Sequence, residues 1–553
     1  MRTLFLSLLL ASLLGNLQAQ NTKGERAPKT PTTKVKPGNP PKGETPNGYT
    51  LAMQKLQQTM FLFQNKYMED VDLGNAAENA IKGMLEQLDP HSVYISAEDY
   101  QKTNEPLAGK FEGIGVSFNL IRDTILVVSV VQDGPSEKVG ILAGDQITSV
   151  DGQNVAGINI TNSDVQKKLR GAKGTEVNVG IKRRNESKTL DFTIVRDEIP
   201  LYSIDATYMA SPGVGYIKVS RFATTTSEEF KSALEKLKAE KMKSLVLDLR
   251  GNGGGMMVSA VDMANHFLSD NKDIVYTEGK HSKKEVYVSE SQGSFREGRL
   301  VVLIDEGSAS ASEIVSGAVQ DWDRGLLVGR RTFGKGLVQR PFMLPDSSYI
   351  RLTVAHYYTP SGRCIQKPYE DGLDAYQKDL QKRIENGELT DKKQIDFPDS
   401  LKYYTKNKKR LVYGGGGIMP DVFVPIDTSF QTEYFKSLNR KGLINKFVLE
   451  YVNTHRQQLL SDYANIDAYI ARFVAKDDFL EGLYTLAESE KIERNAEQIN
   501  ISKPWIQNNV KALIARYLWD TTAFFKINNQ INPIYQKAME LITNRKFEIA
   551  TTE

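Results

Sequence analysis

Three short stretches of this 553-residue chain hold residue types at spacings that could do chemistry. In GRRTFGKGLVQ, from Gly329 to Gln339, Gly329, Gly334 and Lys335 keep the spacing of a phosphate-cradling loop. Gly336 stands where such a loop needs a hydroxyl to hold Mg²⁺, and the run LVQRPFML reads as a strand rather than a phosphate-binding helix start. No nucleotide is expected there. A lysine between two glycines suits another task. Burial would pull its pKa from about 10.4 toward 7, at roughly 4 to 5 kcal/mol, leaving a neutral amine able to take a proton. The flanking glycines let backbone approach closely. Gln339 falls on the same face of a strand or helix as Lys335 and can aim the amine through a hydrogen bond. The competing reading, a solvated lysine on a surface turn, gives Gln339 no task.

The second stretch is EGSASASE, Glu306 to Glu313, between an apolar strand and a helix. It offers Ser308, Ser310 and Ser312 as nucleophiles. Ser310 and Glu313 also form a capping box, the serine and the carboxylate satisfying the first amides of the helix. A serine at a helix start further sits where the next amide points at a developing oxyanion. Both readings select Ser310. The third stretch, LDLRGNGGGMM, runs from a strand through glycines into a helix and exposes backbone N–H groups that could hold an oxyanion, or it is a tight turn. It resembles faintly the GNSGG signature around the serine of chymotrypsin-like proteases, but Gly253 replaces that serine. Of the five histidines, only His356, in LTVAHYYTPSGR, is placed to serve as a base instead of Lys335, in a Ser–His–Asp arrangement.

The elements that must position these residues follow from periodicity. Gly213 to about Asp427 is α/β: the strand SLVLDL feeds the helix MMVSAVDMANHFL, and LVVLID feeds SEIVSGAVQDW. Gly-rich turns after such strands are where α/β proteins place their sites. Gly109 to Arg196 reads as strands and turns interrupted by one helix, Asn162 to Leu169, and closed by a hairpin of KGTEVNVGIKR and LDFTIV. Ahead of it, Ala77, Ile81, Met84, Leu85 and Leu88 form a helical stripe that Asp89-Pro90 stops. Helical spacing returns after Gln431, as in Leu443, Ile444, Phe447, Val448 and Tyr451.

Composition bounds the class. A hydrophobic content of 40%, a charged content of 25% and a net charge of +3 describe an ordinary globular chain with no pull toward nucleic acid. Cys364 is the only cysteine, which excludes an internal disulfide and a thiolate metal cluster. Arg2 followed by LFLSLLLASLLG and Leu17-Gln18-Ala19 reads as a cleaved signal peptide, too short to span a bilayer as a resident helix, so a periplasmic or secreted protein is expected. The boundaries read as signal peptide 1–20, Pro/Lys-rich tether 21–47, helical region 48–108, β-rich domain 109–197, α/β core 198–430 with a charged insertion 367–413, and helical domain 431–553. The insertion and the helical domain lie outside the catalytic motifs. The helical terminal regions offer surfaces for a homo-oligomer.

EGSASASE, FGKGLVQ, DLRGNGGG and GGGGIMPDV, with LDPHSVYI, YYTPSGR and the GIGVSF-to-GDQITSVDG region, resemble the C-terminal processing peptidases, or tail-specific proteases, over roughly Thr50 to Asp427. The resemblance implies a crotonase-like α/β protease core and a PDZ domain. It implies Ser310 as nucleophile, Lys335 as base and Gln339 as its support. The oxyanion hole would combine the amide of Gly254 or Gly255 with that of Ala311. GIGV, Gly113, Ile114, Gly115 and Val116, resembles the PDZ loop that binds the free carboxylate of a substrate tail. No cofactor and no metal are implied, and the partners would be peptides with a free C-terminus. The alternatives are the His356 protease and an inactive secreted binding scaffold. An inactive copy would be expected to lose Ser310 or Lys335, and this chain keeps both.

Overall fold

The computed structural model describes residues 48–548 apart from 185, 292 and 546; the signal peptide and tether expected at 1–47 lie outside the described residues. The chain divides into one compact unit ending at Ala76 and another from Ala77 onward. The first contributes the helix Gly48–Lys66, none of whose residues is buried. Among the described residues no helix is long and apolar enough to cross a membrane.

The second unit is built around a six-stranded sheet. Its order is Ile204–Ser211, Val214–Val219, Ser244–Asp248, Arg299–Ile304, Leu326–Gly329 and Val422–Phe423, antiparallel at the first pairing and parallel thereafter. Every residue of Val214–Val219 and Ser244–Asp248 is buried, as expected for parallel strands covered on both faces. Side chains alternate between the two faces. Leu245, Leu247, Leu300 and Val302 pack with Phe230, Leu234, Met263 and Val315, which belong to the helices Thr226–Ala239, Met257–Asn265 and Ala311–Asp321. Val246, Val301, Leu303 and Val328 face the other way, onto Ile534, Ala538 and Ile542.

That second face corrects the domain reading. The helix Pro533–Thr543 belongs to the core rather than to the helical region after Gln431. Asn532 caps its start, Pro533 sets its first turn, and Arg299 donates to the Ile542 carbonyl at 2.8 Å and the Asn544 carbonyl at 2.7 Å at its end. Burying one isoleucine fully contributes about 1.5–3 kcal/mol, and Ile542 is buried almost completely. The six helices from Glu433–Arg440 to Thr521–Asn528 form their own core around Leu438, Val448, Leu480, Leu483 and Ile514.

A second, five-stranded sheet was not expected. Tyr349–Tyr358 is its spine, paired with Leu337–Met343, with Asp273–Gly279 and with the short strand Val93–Ile95 after the LDPHS turn. The run after Lys335 is thus the strand its sequence suggests. The β-rich domain is an antiparallel sheet from Val116–Ile121 to Leu190–Val195, with the expected helix at Asn162–Leu169 and capping-box Thr161 and Asp164 at its start. The strands Lys110–Gly113 and Asp197–Pro200 pair where the chain enters and leaves this domain.

Candidate active site

Ser310 stands at the start of Ala311–Asp321 with φ 55° and ψ −113°, a strained conformation for a residue with a Cβ. It is half-buried, whereas Ser308 and Ser312 are buried and committed. The Ser308 hydroxyl donates to the Leu249 carbonyl and that of Ser312 to the Asn252 carbonyl, both at 2.8 Å. These two serines staple the EGSASASE turn to the glycine loop and leave the half-buried Ser310 between them.

The Glu313 half of the capping box forms, and its carboxylate does more than cap. Glu313 is fully buried, and its Oε2 accepts the Ser310 N–H at 2.7 Å and the Lys335 N–H at 2.9 Å. Its Oε1 accepts the Thr332 hydroxyl at 2.5 Å and the Gly334 N–H at 2.8 Å. Burial pushes this carboxyl up to about 7, while the four donors pull the other way. Tyr357, also buried, repeats the bridge from the far side, its hydroxyl 2.5 Å from the Lys335 carbonyl and 3.1 Å from that of Ser310. Candidate nucleophile and base are therefore held by the same two side chains.

Lys335 Nζ donates to Gln339 Oε1 at 3.0 Å, and among the described residues it pairs with no carboxylate. Its pKa is lowered by burial first and by Arg351 second, against the opposing pull of Glu313 and Asp89. Gln339 in turn donates through Nε2 to the His91 carbonyl, so the LDPHS turn is part of the site. Asp89 holds that turn, accepting the His91 and Ser92 N–H groups at 2.8 and 2.9 Å and the Thr353 hydroxyl at 3.0 Å. The glycine after Lys335 is required by space, since a Cβ on Gly336 would lie 2.9 Å from the Gln366 nitrogen.

The glycine loop lies against the serine: a Cβ on Gly254 would come within 2.8 Å of that of Ser310. The Gly254 N–H donates to Asn252 Oδ1 at 2.9 Å. Among the described residues neither the Gly255 N–H nor the Ala311 N–H donates a hydrogen bond. Upstream, Arg250 clasps Asp248 and reaches Asn529 Oδ1 at 3.0 Å and Asn532 Oδ1, so residues just before the closing helix hold the root of this loop. His356 is not aimed at Ser310. It alternates with Tyr357 along its strand and meets the Cys364 sulfur at 3.8 Å.

In the β-rich domain, Val116–Ile121 is an edge strand facing Asn162–Leu169 across a groove of about 330 Å³. Ile114, Gly115 and Val116 line it with Phe118 and Leu169. Gly113 sits just outside, paired with Asp197.

Sequence reasoning missed Tyr357, Thr332 and His91, and saw Glu313 only as a cap. YYTPSGR and LDPHSVYI were noted as motifs, and alternation along Tyr349–Tyr358 could have turned Tyr357 inward.

Comparison with known proteins identifies the family and the β-rich domain. A model of peptidase family S41 matches residues 213–374, a PDZ domain model 113–194, a CtpB N-terminal domain model 16–99, and a family of unknown function 434–520. Carboxy-terminal processing protease CtpB of Bacillus subtilis is 36% identical over 319 residues, 57% of this chain and 66% of CtpB, just under two thirds of its length. A carboxy-terminal-processing protease of Bartonella bacilliformis is 37% identical over 308 residues, 55% of this chain and 70% of the relative. Among solved structures, a photosystem II D1 C-terminal processing protease is 30% identical over 57% of this chain and 83% of its own, with a TM-score of 0.33. The chain belongs to peptidase family S41, with a PDZ domain, alongside the carboxy-terminal processing proteases.

Proposed function

We propose that this chain is a serine endopeptidase with a Ser310–Lys335 dyad on a crotonase-like core, acting outside the cytoplasm after its signal peptide is removed. Ser310 Oγ attacks a peptide carbonyl carbon, and Lys335 Nζ takes the hydroxyl proton. The carbonyl oxygen becomes an oxyanion between the unengaged N–H groups of Gly255 and Ala311, since the Gly254 N–H is already held by Asn252. Lys335 then gives the proton to the departing amine, and water releases the acyl group by the same path. The observation that carries this reading is the shared anchoring of Ser310 and Lys335 by Glu313, together with an amine that among the described residues pairs with a neutral amide and no carboxylate. Incubating the chain from residue 21 onward with a denatured protein should yield new fragments by mass spectrometry. Persistent fragmentation by the Ser310→Ala form would remove the dyad.

The PDZ groove reads the substrate tail as an added strand, with the carboxylate at Ile114–Val116 and apolar side chains against Phe118 and Leu169. Amidating the tail removes a charge and an acceptor. A charge-assisted hydrogen bond contributes roughly 1.5–3 kcal/mol, so cleavage at low substrate should slow about ten- to a hundredfold. The loss should appear mainly in KM, because this contact is remote from the scissile bond. Equal efficiency for matched free and amidated peptides would show that the tail is not read.

A further inference from the structure

Gln366 and the insertion after it do not stay clear of the catalytic motifs. Tyr376 stands just past the end of the S41 match, in the short helix Leu373–Gln377, and is buried. Its hydroxyl meets His91 Nε2 at 2.8 Å and Gln366 Nε2 at 3.4 Å. Both contacts lead to the lysine. The His91 carbonyl holds Gln339, whose Oε1 receives the Lys335 amine at 3.0 Å. Gln366 Oε1 receives the Gly336 N–H at 2.8 Å, next in the chain to Lys335. The tyrosine itself is fixed. Lys367 Nζ lies 4.2 Å over its ring, donates to its carbonyl at 3.2 Å and is anchored by Asp379 at 3.1 Å. Its ring also meets His91 and Phe333 edge-on.

From this convergence we propose that Tyr376 is a positioning residue for the base, its hydroxyl fixing both supports of Lys335. The proposal rests on Lys335 being the base. His91 is suited to a structural link rather than to proton transfer, since burial and Lys335 bring its pKa down to about 4, against the pull of Asp89. The charged groups around the lysine are Arg351, Glu313 and Asp89, none of which hydrogen-bonds the Tyr376 hydroxyl, and the His91 ring that does is the other titratable group near the amine. Without that hydroxyl the Gln339 amide can swing and water can reach the amine. Its pKa then rises toward the ordinary lysine value.

Tyr376→Phe keeps the ring and removes one oxygen. Steady-state cleavage of a peptide with a free C-terminus should show kcat reduced about ten- to a hundredfold with KM unchanged, because misplacement of a catalytic group by an ångström can cost that much. The acid limb of the kcat–pH profile should move to higher pH. In the Gln339→Ala background the same change should have almost no further effect, since the main support it steadies is gone. An unmoved acid limb, or a full additional loss in the Gln339→Ala background, would overturn the proposal. Failure of the dyad itself is separable, because it appears as substantial activity in Lys335→Arg whatever Tyr376→Phe does.

Discussion

Lys335→Arg should be nearly as inactive as Lys335→Ala, each lowering kcat about 10²–10⁴-fold, the range carried by a general base. Arginine keeps the charge and the reach, but its guanidinium stays protonated at any working pH and cannot accept the Ser310 proton. Gln339 also offers a single amide oxygen, which a five-donor guanidinium cannot use in place of the amine. The parent enzyme should carry the matching pH signature. In the proposed dyad the active form of Lys335 is neutral, so kcat should rise with pH through its pKa, and burial places that rise below the ordinary 10.5. Initial rates of the three proteins across pH test both statements. Substantial activity in the arginine form would reopen the search for a base, although His356 points toward Cys364.

Glu313→Gln should be the next most damaging change, although Glu313 touches no substrate. Its carboxylate receives four donors, and an amide in its place turns an N–H₂ group toward some of them. Leaving one or two buried donors unmatched costs about 2–4 kcal/mol. Ser310 and Lys335 lose the oxygen that fixes their separation, so kcat should fall on the order of 10²-fold. Calorimetry and initial rates should show both losses together. Parent-like kcat in a destabilised variant would make Glu313 a cap and nothing more.

Ser310, Lys335 and Gln339 were legible as candidates because their signals are local: a capping pattern, two glycines around a lysine, and a four-residue spacing. The strands and helices that carry them were legible for the same reason, as with SLVLDL or Asn162–Leu169, where apolar period and turn residues agree. Which of the Gly254 and Gly255 N–H groups is engaged was not, because it depends on where the Asn252 side chain turns. Tyr376 and His91 were invisible as a pair, being 285 residues apart and meeting only through the folded core. The stripe of Ile534, Ala538 and Ile542 looked like any helix of the C-terminal region, since periodicity gives a face but not the surface that covers it.

The closing helix also sets an order of events. Arg299 and the Ile542 carbonyl it grips are 243 residues apart, so at 5–20 residues per second the ribosome needs roughly 12–50 s to make the second after the first. Throughout that interval one side of the central sheet, with Val246, Val301, Leu303 and Val328, lacks its cover, and Arg250 lacks Asn529 and Asn532. Serine, lysine and glycine loop have all been synthesised by then, yet Arg250 at the root of that loop holds only Asp248 until Asn529 and Asn532 arrive.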